Sequence, residues 1–335
     1  MLGQRFLQAS LLAPLYHFDG ESSPRALPIR FEEVTPVRKP GKNATTEQKS
    51  AYRQAKKTHN LSRAFVDTLR ELRQNFDSQG FKDKTFIAVG DGSFCNKTTF
   101  RQPLDRTILI TRARKDLRLC FPHQGPGPRY YGTEHFSPEE VYHDPAIPWK
   151  ETKIFHGGRY QRIRYKEVSQ ILWQRGGGRR LLRLFVLAPT PYRKTKTGRH
   201  YYREKAYLLC DDNKLAAKEL LQAYFDRWQI EINHRDEKSI LGVGQAQVWA
   251  DLSVPRVPAF MVATYSLMLL STLETYGPTR TTAYEPLPKW RNAARRPSCQ
   301  DAITLLRKQI EAKPLCQGTP TNILGYPSMV QTAAA

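Results

Sequence analysis

The chain has 335 residues, 40% hydrophobic, 11% aromatic and 25% charged, ample for one large or two modest globular domains. Its 53 Lys and Arg against 31 Asp and Glu leave a net +22, spread along the chain with interleaved aromatics. That balance points to a nucleic-acid backbone as partner, with membrane-surface binding the rival, although no basic amphipathic helix is visible to serve a membrane. The five cysteines are odd in number and lack a C-x-x-C pair, which excludes a sequence-visible zinc site and suggests a reducing compartment with free thiols.

The opening MLGQRFLQASLLAPLYHF imitates a secretory leader, but Gln4, Arg5, Gln8 and Ser10 break the hydrophobic run and no A-x-A site follows. Residues 3–15 and 26–33 read as short strands joined by the turn-forming DGESSP. A basic connector, KPGKNATTEQK, precedes a helix beginning at Asn60. Its Leu61, Phe65, Leu69, Leu72 and Phe76 recur at helical steps, and Gly80 ends it. The stretch TFIAVGDGSF is an apolar strand that runs into Asp91. From about residue 107 to 188 the pattern is mostly β, with Gly176, Gly177 and Gly178 as a hairpin turn. KAYLLCDD is a further apolar strand, whose Asp211 and Asp212 are expected to cap the next helix. Residues 257–273 lack charge but are short for a membrane span and contain Pro258, Thr264 and Ser271, so a buried core helix is expected. A Pro-rich turn (YEPLPKW), a short helix from Ser298 and a loose tail after Pro314 complete the chain.

The helix after KAYLLCDD contains YFDRWQIEINHRDEK. At roughly 100° per residue, Tyr224, Arg227, Glu231 and Lys238 fall at about 0°, −60°, −20° and −40° on one stripe. Leu221, Phe225, Trp228 and Ile232 make an adjoining apolar face at about 40–100°. One continuous helix is therefore expected, holding one carboxylate between cations. The plain alternative is a solvated face with weak ion pairs.

Polar chemistry in mixed α/β sheets gathers beyond the carboxyl ends of strands. Asp91 stands just past such an end, and Glu231 lies on the helix after the next core strand. Two carboxylates in so basic a chain point to divalent-metal chemistry on phosphates, because hard oxygen ligands suit Mg²⁺. Against this, Asp91 in GDGS also suits a simple turn. Arg112, Arg114 and Lys115 suit one face of a strand on DNA, or a solvated edge. Trp173 suits stacking on an unpaired base, or core packing beside Ile171 and Leu172. His234 falls near the same stripe at about −80° and is expected to be DNA-proximal rather than catalytic.

The spacing Tyr-x2-Arg-x3-Glu-x6-Lys at Tyr224, Arg227, Glu231 and Lys238 resembles the signature of bacterial insertion-sequence DDE transposases of the YREK class. AVGDGSFCNKTTF resembles that family's second-Asp strand, RARKDLRL its following basic segment, and WQIEINHRDEKSILGVGQAQVW its Glu helix. The likeness runs from about Leu2 to Ile310. It implies an α/β fold: a ribonuclease-H-like mixed sheet with flanking helices, interrupted by a β-rich insertion. The core would occupy residues 1–105 and 201–313, the insertion 106–200, and the tail 314–335. It also implies that Asp91 and Glu231 are catalytic ligands of Mg²⁺ or Mn²⁺ in a two-metal site, while Tyr224, Arg227 and Lys238 grip phosphates. The partners it implies are insertion-sequence ends and target DNA, with a homodimer in the DNA complex, no membrane, and a place in the bacterial cytoplasm on the nucleoid.

The family's first Asp sits on the first of three antiparallel strands. Counting back from Asp91, the strands at 26–33 and 3–15 would be the third and second. Asp19 reads as a turn residue at the wrong end of a strand. An N-terminally truncated transposase, inactive alone, is therefore expected. The alternative is a non-catalytic DNA-binding remnant.

Overall fold

The structure, a computed structural model, describes residues 5–13, 24–157, 159–193, 198–289 and 296–312. Asp19, the turn around it and the tail from 314 lie outside the described residues. The chain divides into two compact units, residues 1–266 and 267–335.

The first unit begins with an antiparallel hairpin of β1 (Phe6–Ala13) and β2 (Arg25–Glu33), stapled by stacked Phe6 and Phe31 rings 4.7 Å apart. Helices α1 (Thr46–Thr58) and α2 (Leu61–Ser78) follow, then β3 (Phe86–Gly90), a single 3-10 turn (Gly92–Phe94), α3 (Lys97–Phe100) and β4 (Thr107–Arg112). Next come a small ribbon of β5 (Leu119–Pro122) and β6 (Tyr131–Phe136), α4 (Pro138–His143), and the strands β7 (Lys150–His156), β8 (Arg159–Ile171) and β9 (Leu182–Leu187). A short pair, β10 (Pro191–Arg193) and β11 (His200–Tyr202), leads to β12 (Ala206–Cys210), α5 (Ala217–Asp226), α6 (Trp228–Ser239) and α7 (Ser253–Tyr276).

Six strands form one mixed sheet in the order β3-β4-β12-β9-β8-β7, with β3 and β4 parallel and every other neighbour antiparallel. The central strands β9 and β12 are buried along their whole length, apolar throughout except for Arg183, which pairs with Glu167, as strands covered on both faces require. Leu109, Leu184, Tyr207 and Leu209 point to one side, where Phe100, Val141 and Trp173 cover them. Ile110, Phe185, Leu208 and Cys210 point to the other side and pack on Leu220, Leu221 and Phe225 of α5. Both edge strands, β3 and β7, contact α5, so the sheet curls around that helix. The fold is thus mixed α/β, with a curled sheet and flanking helices.

Of the strands between residues 106 and 200, β5 and β6 pair as a ribbon of their own and the rest mostly join the main sheet. β7, β8 and β9 extend the sheet of β3 and β4, and β12 pairs with both β4 and β9. Gly176 to Gly178 do make the β8–β9 turn, donating three backbone bonds to the Trp173 carbonyl at 2.7–3.1 Å. A Cβ on Gly176 would overlap the Trp173 indole, so only glycine fits there.

Three expectations need correction. The connector holds a helix, α1, announced by a capping box in which Thr45 and Gln48 satisfy each other's backbone amides. The helix with the YREK spacing is broken at Arg227, which ends α5 and starts α6. Asp211 and Asp212 do not cap α5, whose N-cap is Ala216 without a side-chain bond. Asp212 instead accepts from Lys214 and Leu215 amides, while Asp211 accepts the Leu109 amide at 2.7 Å and pairs with Arg180 at 2.9 Å.

Helix α7 is buried only along the stripe of Pro258, Val262, Tyr265 and Leu269, not as a core helix on all sides. Phe260 and Leu267 are largely exposed. Among the described residues it is the one helix long and apolar enough to cross a membrane by length and composition. In the second unit, α8 (Cys299–Ala312) starts at Ser298, which exchanges hydrogen bonds with Asp301, and Asp301 pairs with Arg280 at 2.6 Å.

Candidate functional site

Asp91 follows directly on β3, whose last residue, Gly90, stands opposite Thr111 of the parallel strand β4. Its Oδ1 accepts from the Ser93 amide at 2.8 Å and from the Ser93 hydroxyl, capping the 3-10 turn. Oδ2 has no protein partner among the described residues. Gly92 packs near the backbone carbonyl of Arg112, so Asp91 and Arg112 share the carboxyl ends of two parallel strands. The turn is held from behind by stacked Phe65 and Phe94 rings, 4.1 Å apart, and by Asn96, which donates to Ser62 and to the Ser93 carbonyl at 2.7 Å each.

Glu231 is exposed on the first turn of α6 and accepts from Arg227 at 3.2 Å, the one ion pair formed within the stripe. Lys238, two turns on, is exposed, and its ammonium has no hydrogen bond or ion pair among the described residues. Tyr224 lies on α5, across the break, half-buried against the core with its ring beside Phe225. The sequence stripe therefore survives as Arg227, Glu231 and Lys238, while Tyr224 faces its own helix's packing.

The break also ends the apolar face. Leu221 and Phe225 are buried, but Trp228 is 47% exposed with the Arg203 guanidinium over its ring. The buried side of α6 is instead Asn233, Asp236 and Glu237. Asn233 donates to the Ala26 carbonyl at 3.1 Å, the Tyr265 hydroxyl donates to Asn233 at 3.2 Å, and Glu237 accepts from Gln8 at 3.0 Å and bonds His234 at 3.3 Å. Hydrogen bonds, not apolar burial, thus seat α6 on the hairpin. His234 is a half-buried partner of Glu237 in that network.

Other expected contacts fall differently. Arg112 ends β4 exposed, but Arg114 and Lys115 lie in the loop beyond the strand, and Arg114 is tied to Asp116 at 2.6 Å. Trp173 is only 8% exposed and packs edge-on against Phe100, with Gly176 on its indole, so no ring face is open to a base. Arg180 and Arg183 of the nearby basic run pair with Asp211 and Glu167.

No sequence pattern marks Asp226, a buried acid. Asp226 is 8% exposed and accepts from Gln222 at 2.9 Å, while Gln222 also makes two bonds with the Phe155 backbone. Burial pushes its carboxyl up to about 7, the Gln222 bond lowering it only in part. The folded protein then keeps this proton to higher pH than the unfolded chain. The stability that the neutral acid contributes is fully present below pH 3.8 and lost as pH rises through about 7. Asp226→Asn is expected to match the native chain near pH 4 and to exceed it by roughly 1–4 kcal/mol at pH 8. Urea midpoints at the two pH values check this, and an Asn variant weaker at pH 8 would refute it.

A divalent ion of the Mg²⁺ type takes six oxygens. Among the described residues Asp91 and Glu231 each leave one carboxylate oxygen unengaged, which suits hard-cation ligation. No group of three His, Cys, Asp or Glu that could hold a metal stands together among the described residues. Those residues alone do not complete a two-metal centre.

No protein-family model matches the chain, and the search of curated proteins finds no match.

Proposed function

We propose that the chain is the catalytic-core part of a DDE-type transposase, acting on the phosphodiester backbone of insertion-sequence and target DNA. The observation that carries the reading is Arg227, Glu231 and Lys238 on one stripe of α6, whose opposite side is buried on the hairpin, in a mixed α/β unit whose curled sheet bears Asp91 beyond the carboxyl end of β3. In this reading Arg227 and Lys238 bind phosphate oxygens, Arg227 by its planar fork and Lys238 as a point charge. Asp91 and Glu231 belong to the ligand set of Mg²⁺ or Mn²⁺, which supplies Lewis-acid activation of the phosphodiester when bound.

The ribonuclease-H-like assignment is part of the same proposal. Its support is the parallel β3–β4 pair, the preceding hairpin, and a free edge on each: among the described residues β3 pairs only with β4, and β1 only with β2. In the resembled transposase family a strand carrying a further Asp joins two such edges into one sheet. The two carboxylates present favour a second reading, in which the chain binds DNA without cutting it.

The test is nicking of supercoiled DNA carrying the element ends by the purified chain with Mg²⁺ or Mn²⁺. Two ligands alone are expected to give no detectable nicking. Metal-dependent nicking lost in Asp19→Ala would place the third carboxylate at Asp19. Nicking that persists in Asp91→Asn and Glu231→Gln would overturn the site.

A further inference from the structure

Helix α1 has no buried residue, and only Tyr52 and Ala55 along it are half-buried. A 13-residue helix without packing is marginal in water. This one is fixed at both ends. The Thr45–Gln48 capping box closes its start. At its end Asn60 Nδ2 donates to the Lys56 and Lys57 carbonyls at 3.1 and 3.2 Å, while Oδ1 accepts the Arg63 amide at 3.0 Å. Asn60 thus fastens the last turn of α1 to the first turn of α2.

Charge is segregated around α1. Taking Lys49 as zero and about 100° per residue, Lys56, Arg53 and Lys57 fall at about −20°, 40° and 80°, with Tyr52 at about −60°. Glu47, the one acid of the helix, falls at about 160°, on the far side. None of the four cations forms an ion pair among the described residues. The rest of the helix offers only Ala51 and Ala55 as apolar groups. A membrane-lying helix needs large apolar side chains opposite its cations, and a protein interface needs large anchors. A sugar-phosphate backbone needs only the charge and a few donors.

The root of α1 lies at the candidate site. Ser62, two residues beyond Asn60, accepts from Asn96 at 2.7 Å, Asn96 donates to the Ser93 carbonyl, and Ser93 donates to Asp91.

We propose that the Lys49–Arg53–Lys56–Lys57 face of α1 is a docking surface for the backbone of duplex DNA flanking the strand presented to Asp91. This rests on the reading of the protein as one that acts on DNA. The contact is independent of sequence and adds to affinity through counterion release.

The full-length chain is compared with the variant Lys49→Ala, Arg53→Ala, Lys56→Ala, Lys57→Ala, in which alanine preserves helix propensity. Binding to a random-sequence duplex is followed by fluorescence anisotropy across a salt series. The alanine variant should bind about 10–100-fold more weakly, with a log–log salt slope shallower by roughly 2–4. Lys49→Arg, Lys56→Arg, Lys57→Arg should bind like the native chain. On the native chain, duplex should protect Lys49, Lys56 and Lys57 from acetylation, a readout that does not depend on the variant folding. Native affinity and slope in the alanine variant, or unprotected lysines in a chain that binds duplex, would overturn the proposal. A native chain that binds no duplex at low salt would overturn the broader reading as well. Binding to anionic phospholipid vesicles that the alanine variant loses, with duplex affinity unchanged, would reassign the face to a membrane.

Discussion

Raising salt from about 50 to 200 mM is expected to weaken duplex binding on the order of 10³-fold or more. The net charge is +22, so under the proposed function phosphate contacts should dominate the binding. Not every cation counts toward that slope. Arg180 and Arg183 are half-buried or buried in ion pairs, and Arg114 is bound to Asp116. Arg112, Lys115, Lys238 and the α1 cations are exposed and without ion pairs among the described residues. Neutralising six to ten phosphates would give a slope of about −5 to −9. Anisotropy titrations at four or five salt concentrations measure it. An affinity indifferent to salt would remove the electrostatic basis of DNA binding.

Arg73→Met is expected to lower stability by roughly 2–4 kcal/mol. Arg73 is buried on α2, and its guanidinium donates to the Lys84 carbonyl at 2.7 Å, the Phe81 carbonyl at 2.8 Å and Asp77 at 2.6 Å, stacking over the Phe86 ring. Methionine keeps much of the apolar stem but leaves the Lys84 carbonyl without its donor and the Phe81 carbonyl with only the Lys84 amide. Those carbonyls belong to the connection from α2 into β3, so the loss should also loosen the strand that presents Asp91. Urea unfolding measures the first effect, and hydrogen exchange of the β3 amides the second. A change below about 0.5 kcal/mol would show that water replaces the guanidinium without cost.

Regular apolar patterns carried most of the fold in the sequence. The steps from Leu61 to Phe76, the run into Asp91 and KAYLLCDD all lie in the elements they announced, because each buries a face whose period is set by backbone geometry. Periodicity misled where burial is polar. Trp228 and Ile232 continued an apolar count past Arg227, yet α6 turns Asn233, Asp236 and Glu237 inward because hydrogen bonds from Gln8 and Tyr265 and to Ala26 satisfy them. No one-dimensional count foresees Gln8 and Ala26, more than 200 residues away, as partners. Helix α1 was legible, since Thr45 and Gln48 make a capping box three residues apart, but its flanking Pro and Gly drew the segment toward a connector. Asp91 and Glu231 were legible as residues. Their spacing says nothing of how many further carboxylates stand beside them.

The most direct test is a Mn²⁺ titration of the protein–duplex complex followed by electron paramagnetic resonance, comparing the native chain with Glu231→Gln and Lys238→Ala. If Glu231 is a metal ligand and Lys238 a phosphate contact, the native complex binds Mn²⁺. Glu231→Gln then loses the ion with duplex affinity nearly unchanged, because a carboxamide keeps the shape without the charge. Lys238→Ala should instead bind duplex more weakly, with a smaller salt slope. Unaltered Mn²⁺ binding in Glu231→Gln, or equal loss of duplex affinity in both variants, would contradict a metal-bearing site on this stripe.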